Sequence, residues 1–162
     1  MRYLLTCVVS TLLALLTTAT HATEPLHDGL VFQGKSGIIY PVKCCWMELP
    51  SSEALTAIRR KELCSAIGGP VGNFRLQDGK LWLTELSRCS GTIPLSQVFS
   101  DLANPAHAIW VTGAFVGKLN WLCLGNDDRS IFELELSLQI ERGVVVSISE
   151  YHRDKSKCPT QL

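Results

Sequence analysis

The chain has 162 residues, 46 % of them hydrophobic, and carries fifteen Lys and Arg against fifteen Asp and Glu. That length is one ordinary domain. The balanced charge gives no basic footprint for the phosphates of nucleic acid, and none for an anionic membrane surface.

Residues 1–22 read as a signal peptide. Arg2 precedes an apolar run from Leu4 to Leu16, interrupted by Thr6, Ser10 and Thr11, and small residues follow it. The run is thirteen residues long, short of the roughly 17 to 25 that a spanning helix needs, so the anchor reading is disfavoured. Ala22 with Thr20 suits cleavage, as does Ala19 with Thr17, and Thr23 is taken as the mature start. Cys7 lies inside the apolar run rather than after it, which argues against lipidation. Residues 23–162 then form one domain with 14 basic and 15 acidic side chains. No later segment is long enough to enter a bilayer.

Six cysteines remain in that domain: Cys44, Cys45, Cys64, Cys89, Cys123 and Cys158. An even number in an exported chain reads as a disulfide framework, whereas zinc ligation needs close C-x-x-C spacing that is missing. Three bridges are expected. On an extended backbone Cys44 and Cys45 project to opposite sides and so take different partners. Of the fifteen connectivities, the preferred set is Cys45 with Cys64, Cys89 with Cys123, and Cys44 with Cys158. The last of these would tie down the C-terminal tail for ~4 kcal/mol of chain entropy.

Thr23 to Asp28 is polar. Gly29 to Phe32 and Ile38 to Val42 are short β-prone runs around the turn-rich Gln33-Gly34-Lys35-Ser36-Gly37; Pro41 makes the second an edge strand or one that ends there. A helix should start at Ser51 or Ser52, with Glu53 at the positive end of its dipole. Leu55, Ile58, Leu63 and Ala66 fall on one stripe, and Gly68-Gly69-Pro70 stops it. Asn73 to Leu86 reads as a hairpin around Asp78-Gly79, which tolerates the positive φ of a type I′ turn. A two-residue loop sets Leu76 opposite Leu81 and Phe74 opposite Leu83, with Arg75 beside Trp82 on the other face.

Cys89 to Thr92 is read as a turn and Pro94 to Leu102 as a short helical turn. His107 to Phe115 and Lys118 to Leu124 are two further strands, parted by Val116-Gly117, and Gly125 to Arg129 is a polar loop. Phe132, Leu134, Leu136, Leu138 and Ile140 alternate with polar residues, one face core and the other wet. Glu141-Arg142-Gly143 fits a three-residue hairpin loop. Beyond it Val144, Val146 and Ile148 continue the apolar face, and the tail is held by Cys158. The sum is a mainly β domain of about eight short strands with one inserted helix, its antiparallel sheet curled into a barrel or folded into a sandwich.

Motifs for chemistry are few. Gly34-Lys35-Ser36-Gly37 has the wrong spacing for a nucleophile elbow, and the phosphate-binding glycine patterns are missing, so no cofactor is implied. His152 with Asp154 and Glu150 shares one strand face, as an oriented imidazole would, although a solvated strand end explains the trio more simply. His107 is read as packed or capping, and Asn126, Asp127 and Asp128 as a surface loop rather than a calcium site. The adjacent Cys44-Cys45 lacks redox spacing. Among the tryptophans, Trp46 lies beside the cysteine pair, Trp110 and Trp121 are read as core, and Trp82 beside Arg75 is the surface candidate.

Two functional classes follow. One is a non-enzymatic binding protein, an inhibitor or immunity type that acts on another extracytoplasmic protein through Arg75 and Trp82, in the periplasm or beyond the cell. The other is a small secreted hydrolase working through carboxylates such as Glu133 with Glu135 or Asp127 with Asp128. The missing nucleophile and metal spacings favour the first. The cysteine count predicts that the oxidised mature protein shields all six thiols from alkylation until it is reduced; full labelling of the native protein would refute the framework.

Overall fold

In a computed structural model, residues 26–44, 46–61, 69–125, 129–154, 156 and 158 are described. The proposed signal peptide, Cys45, Cys64, Asn126, Asp127 and Asp128 lie outside them.

The first hairpin joins β1 (Asp28–Phe32) to β2 (Lys35–Pro41). Its turn is the two residues Gln33-Gly34, both at positive φ, rather than the five expected. Lys35 and Ser36 are drawn into the ladder because a two-residue turn of that hand matches the strand twist. Helix α1 (Glu53–Lys61) begins where expected, with the Ser52 hydroxyl oxygen accepting from Leu55 N at 3.0 Å. Leu55 is buried and Ile58 packs on the core, so the helix lays one face on the barrel.

The hairpin of β3 (Val71–Gln77) and β4 (Lys80–Arg88) turns at Asp78-Gly79, both at positive φ. Its register pairs Leu76 with Leu81, Phe74 with Leu83 and Arg75 with Trp82, as the apolar pattern requires. β5 (Gly91–Pro94) folds back on β4 and partly replaces the expected turn there, followed by a 3-10 turn, η1 (Leu95–Gln97). The two strands expected across residues 107–124 are instead a two-residue β6 (Ala106–His107) and one long β7 (Gly113–Leu124). Gly117 is a strand residue and not a turn. A Cβ there would come within 2.9 Å of Leu30 Cδ2 and 3.3 Å of Leu136 Cβ, so the glycine makes room for core side chains inside the barrel.

β8 (Ser130–Glu141) keeps the predicted alternation, with Phe132, Leu134, Leu136, Leu138 and Ile140 all buried. Its hairpin to β9 (Val144–His152) turns on Arg142-Gly143 alone, since Glu141 already pairs with Val144. A bulge at Gln139/Ile140 shifts the register. Because the loop is one residue shorter than expected, Ile140 pairs with Val145, which packs against the core, while Val144, Val146 and Ile148 are exposed, contrary to the expected apolar face. A one-residue change in loop length reverses which side of the strand start faces inward. Trp121 is likewise 56 % exposed rather than core, next to the irregular pairing at Trp121/Cys123 and the positive φ of Asn120.

The strands run β3-β1-β2-β7-β8-β9-β4, and β4 pairs again with β3, closing a ring of seven with β5 and β6 attached to β4. The fold is therefore a barrel. Closure at β4–β9 is short: Leu81 N donates to Gly143 O and Val145 N to Gly79 O, both at 2.8 Å. β1 and β3 pair in parallel, and the other pairings are antiparallel. Among the described residues no helix is long and apolar enough to cross a membrane.

Cys123 and Cys158 form a disulfide, 35 residues apart in sequence, and Cys44 and Cys89 each take part in a further disulfide. This overturns the expected Cys89–Cys123 and Cys44–Cys158 pairs. The tail is tied, as foreseen, but to the β7–β8 arm. β9 runs antiparallel to β8 and returns the chain towards the end of that arm, where Cys123 lies. The expected Cys45–Cys64 pair falls outside the described residues.

A buried carboxylate holds the irregular corner. Asp28 is 1 % exposed; its Oδ2 accepts from Met47 N at 2.6 Å and its Oδ1 from Gly72 N at 2.7 Å. Burial pushes its pKa up to about 6, against the opposing pull of the two amides. Between the ordinary value of 3.8 and about 6, the folded chain holds a proton that the unfolded chain has lost. The associated stability is full below the ordinary value and falls by roughly 3 kcal/mol as pH rises through the folded value. Urea unfolding at a series of pH values should show this decline in the wild type and not in Asp28→Asn; an equal decline in both would refute the assignment. Asp28→Ala should cost ~1 to 3 kcal/mol for each amide left unpaired.

Candidate functional site

Barrels of this strand number fill their interior with side chains, and here Leu30, Ile39, Phe74, Leu81, Leu119, Leu134 and Leu136 do so. A binding site must then be built on the outer wall or at a rim. On the wall formed by β1, β3, β4 and β6, pairing places Val31 beside Arg75, Arg75 beside Trp82, and Trp82 beside His107. Strand alternation turns these four side chains outward, away from Leu30, Phe74, Leu81 and Leu83. The two residues singled out from the sequence are thus neighbours, and the fold adds two more that local pattern did not reveal. Val31 and His107 join the row only through parallel pairing to β3 and the two-residue bridge to β4.

Val31 is 39 % exposed, Arg75 is exposed, and Trp82 and His107 are half-buried. The Trp82 and His107 rings lie 5.2 Å apart at 40°. His107 Nε2 is 3.2 Å from the carbonyl oxygen of Gly143; the carbonyl can only accept, so Nε2 carries the proton and the ring is held against the indole. This packed role agrees with the sequence reading. Arg75 has no carboxylate partner among the described residues.

The other tryptophans behave differently. Trp46 Nε1 donates to Leu26 O at 2.8 Å and Trp110 Nε1 to Glu48 O at 2.9 Å, so both spend their polar atom inside the fold. They frame an opening of about 380 Å³ with Pro41, Lys43 and Phe115. Trp82 makes no such bond among the described residues, and its ring lies beside His107.

The carboxylates named for a hydrolase sit elsewhere. Glu133 accepts from Lys35 at 2.5 Å and from Asn120, and these bonds hold its carboxyl below the usual glutamate range. Glu135 accepts from Arg153 Nη2 at 3.0 Å. Both accept from cationic or amide donors, and the lowered pKa of Glu133 is the reverse of the raised value that a general acid requires. His152 lies 3.3 Å from Glu150 on an exposed strand end, while Asp154 accepts from Ser156 N at 2.8 Å; the trio does not converge on a nucleophile. Among the described residues no three His, Cys, Asp or Glu side chains are grouped to hold a metal.

No protein-family model, curated protein or solved structure matches the chain. Function therefore has to be argued from the surface itself.

The ion-paired state of Glu133 is open to measurement. Its carboxyl should titrate below the ordinary range by NMR, and Lys35→Met should move the midpoint up. A wild-type midpoint above that range would restore Glu133 as an acid.

Proposed function

We propose that this chain is an exported binding protein that recognises another extracytoplasmic protein, in the manner of an inhibitor or immunity protein. The recognition surface is the outer row of Val31, Arg75, Trp82 and His107. The observation that carries this reading is the adjacency of Arg75 and Trp82, the side chains most enriched in binding hot spots, with neither guanidinium nor indole N–H bonded among the described residues. Their setting adds weight. Both stand on paired strands of a disulfide-bonded barrel, and a surface held in place loses less entropy when a partner docks. The apolar Val31 and the ring of His107 extend the row on either side, so a partner would meet a charged centre flanked by apolar ground.

The alternative, a secreted hydrolase, finds less support. Glu133 and Glu135 are taken up in ion pairs, and the His152 group is solvated. A disulfide between Cys123 and Cys158 fits an oxidising compartment, which suits either reading.

Trp82→Ala or Arg75→Ala should weaken partner binding by ~1 to 4 kcal/mol while leaving the thermal unfolding profile close to wild type. His152→Ala and Asp154→Ala should leave binding unchanged. The check is affinity capture from periplasmic extract by wild type and variants, beside a broad hydrolase screen. Turnover that vanishes on changing His152 or a paired carboxylate would replace the binding reading with the enzyme.

A further inference from the structure

A second site lies on the opposite wall of the barrel. There β2, β7, β8 and β9 are consecutive in the ring, and pairing sets Ile38, Lys118, Glu135 and Tyr151 in one outward row. Beside this row opens a groove of about 530 Å³, within the ~300 to 1,000 Å³ of small-molecule sites. Its apolar lining comes from Ile38, Ile131 and Phe132, and among the described residues its charged lining is Lys118, Arg129, Arg153 and Glu135.

Arg153 Nη2 donates to Glu135, the one carboxylate among the described residues that line the groove. Lys118 has no carboxylate partner among the described residues; its Nζ rests 5.7 Å from the centre of the Tyr40 ring, half-buried against an aromatic face. The Arg153 Nε is buried with no hydrogen-bond acceptor, although its guanidinium is held at 5.1 Å over the Tyr151 ring. A cation beside a groove with no carboxylate of its own leaves a charge that an anionic ligand can meet.

We propose that this groove binds a small organic monoanion, a carboxylate carried on a short apolar body. The carboxylate pairs with Lys118, whose ammonium has no carboxylate partner among the described residues. The apolar body covers Ile38, Ile131 and Phe132. A single negative charge is specified because, with Glu135 spent on Arg153, Lys118 is the groove cation left without a carboxylate among the described residues. This site shares no strand with the Arg75–Trp82 row, which stands on β1, β3, β4 and β6 while the groove stands on β2, β7, β8 and β9.

The oxidised protein is titrated with hexanoate, with hexan-1-ol as the uncharged counterpart and sulfate as an anion without an apolar body, followed by NMR chemical shifts. Hexanoate should saturate, with shifts centred on Lys118, Phe132 and Arg153. Hexan-1-ol, sulfate and the Lys118→Met variant with hexanoate should each bind at least roughly tenfold more weakly, about 1.4 kcal/mol. Lys118→Arg should retain binding, and both variants should keep wild-type circular dichroism. Lys118 makes no bond that the fold depends on, and methionine preserves its stem. Absence of saturation in the millimolar range, equal binding of hexan-1-ol or sulfate, or unchanged binding by Lys118→Met would each overturn the proposal.

Discussion

One buried carboxylate, Asp28, joins three parts of the chain that no hairpin connects. It stands at the start of β1, accepts from Met47 on the segment leading to the helix, and accepts from Gly72 at the start of β3. β1 and β3 are the barrel's parallel pair, and a parallel pair cannot be closed by a tight turn. Its ends must be aligned by something other than chain continuity, and a side chain with two acceptor oxygens does this. Neighbouring tryptophans reinforce the same corner through Leu26 and Glu48. Burying a carboxylate is costly unless its oxygens are satisfied; here the two amides offset that cost and would themselves be orphaned without it.

With that corner held, the ring closes and the interior fills with leucine, isoleucine and phenylalanine. A filled interior removes the usual central pocket of a larger barrel and moves recognition to the outer wall. The outer wall is not uniform. One side carries Arg75 beside Trp82, and the other carries ion pairs on Glu133 and Glu135 and a groove with more cation than anion among the described residues. β8 links the two consequences: its inner residues build the core while its outer glutamates organise the lysine and arginine around them.

Much of this was legible in the sequence where a local rule decided the outcome. The β8 alternation, the Ser52 cap on the helix and the Asp78-Gly79 turn each depend on residues within a few positions of one another. The β3–β4 register follows from the turn, and it placed Arg75 beside Trp82 correctly. The hydrophobic pattern also settled a mainly β domain with one helix.

Tertiary structure decided what local rules leave open. The two-residue turn at Arg142-Gly143 set Val145 opposite Ile140 and so turned it inward, and the bulge at Gln139/Ile140 then shifted the pairing by one so that Ser147 faces Gln139. Gly117 looked like a break and is a strand residue, since the side chain it makes room for, Leu30, comes from a distant strand. Cys123 found Cys158 rather than Cys89 because the β8–β9 hairpin returns the chain to the β7–β8 arm, a proximity that no cysteine spacing records. Val31 and His107 joined the Arg75–Trp82 row, and Lys118 the groove beside Arg153, through pairings between strands remote in sequence. Periodicity and turn chemistry are properties of short segments and can be read in order; ring closure, register shifts and the convergence of charges depend on which segments meet, and folding alone brings those together.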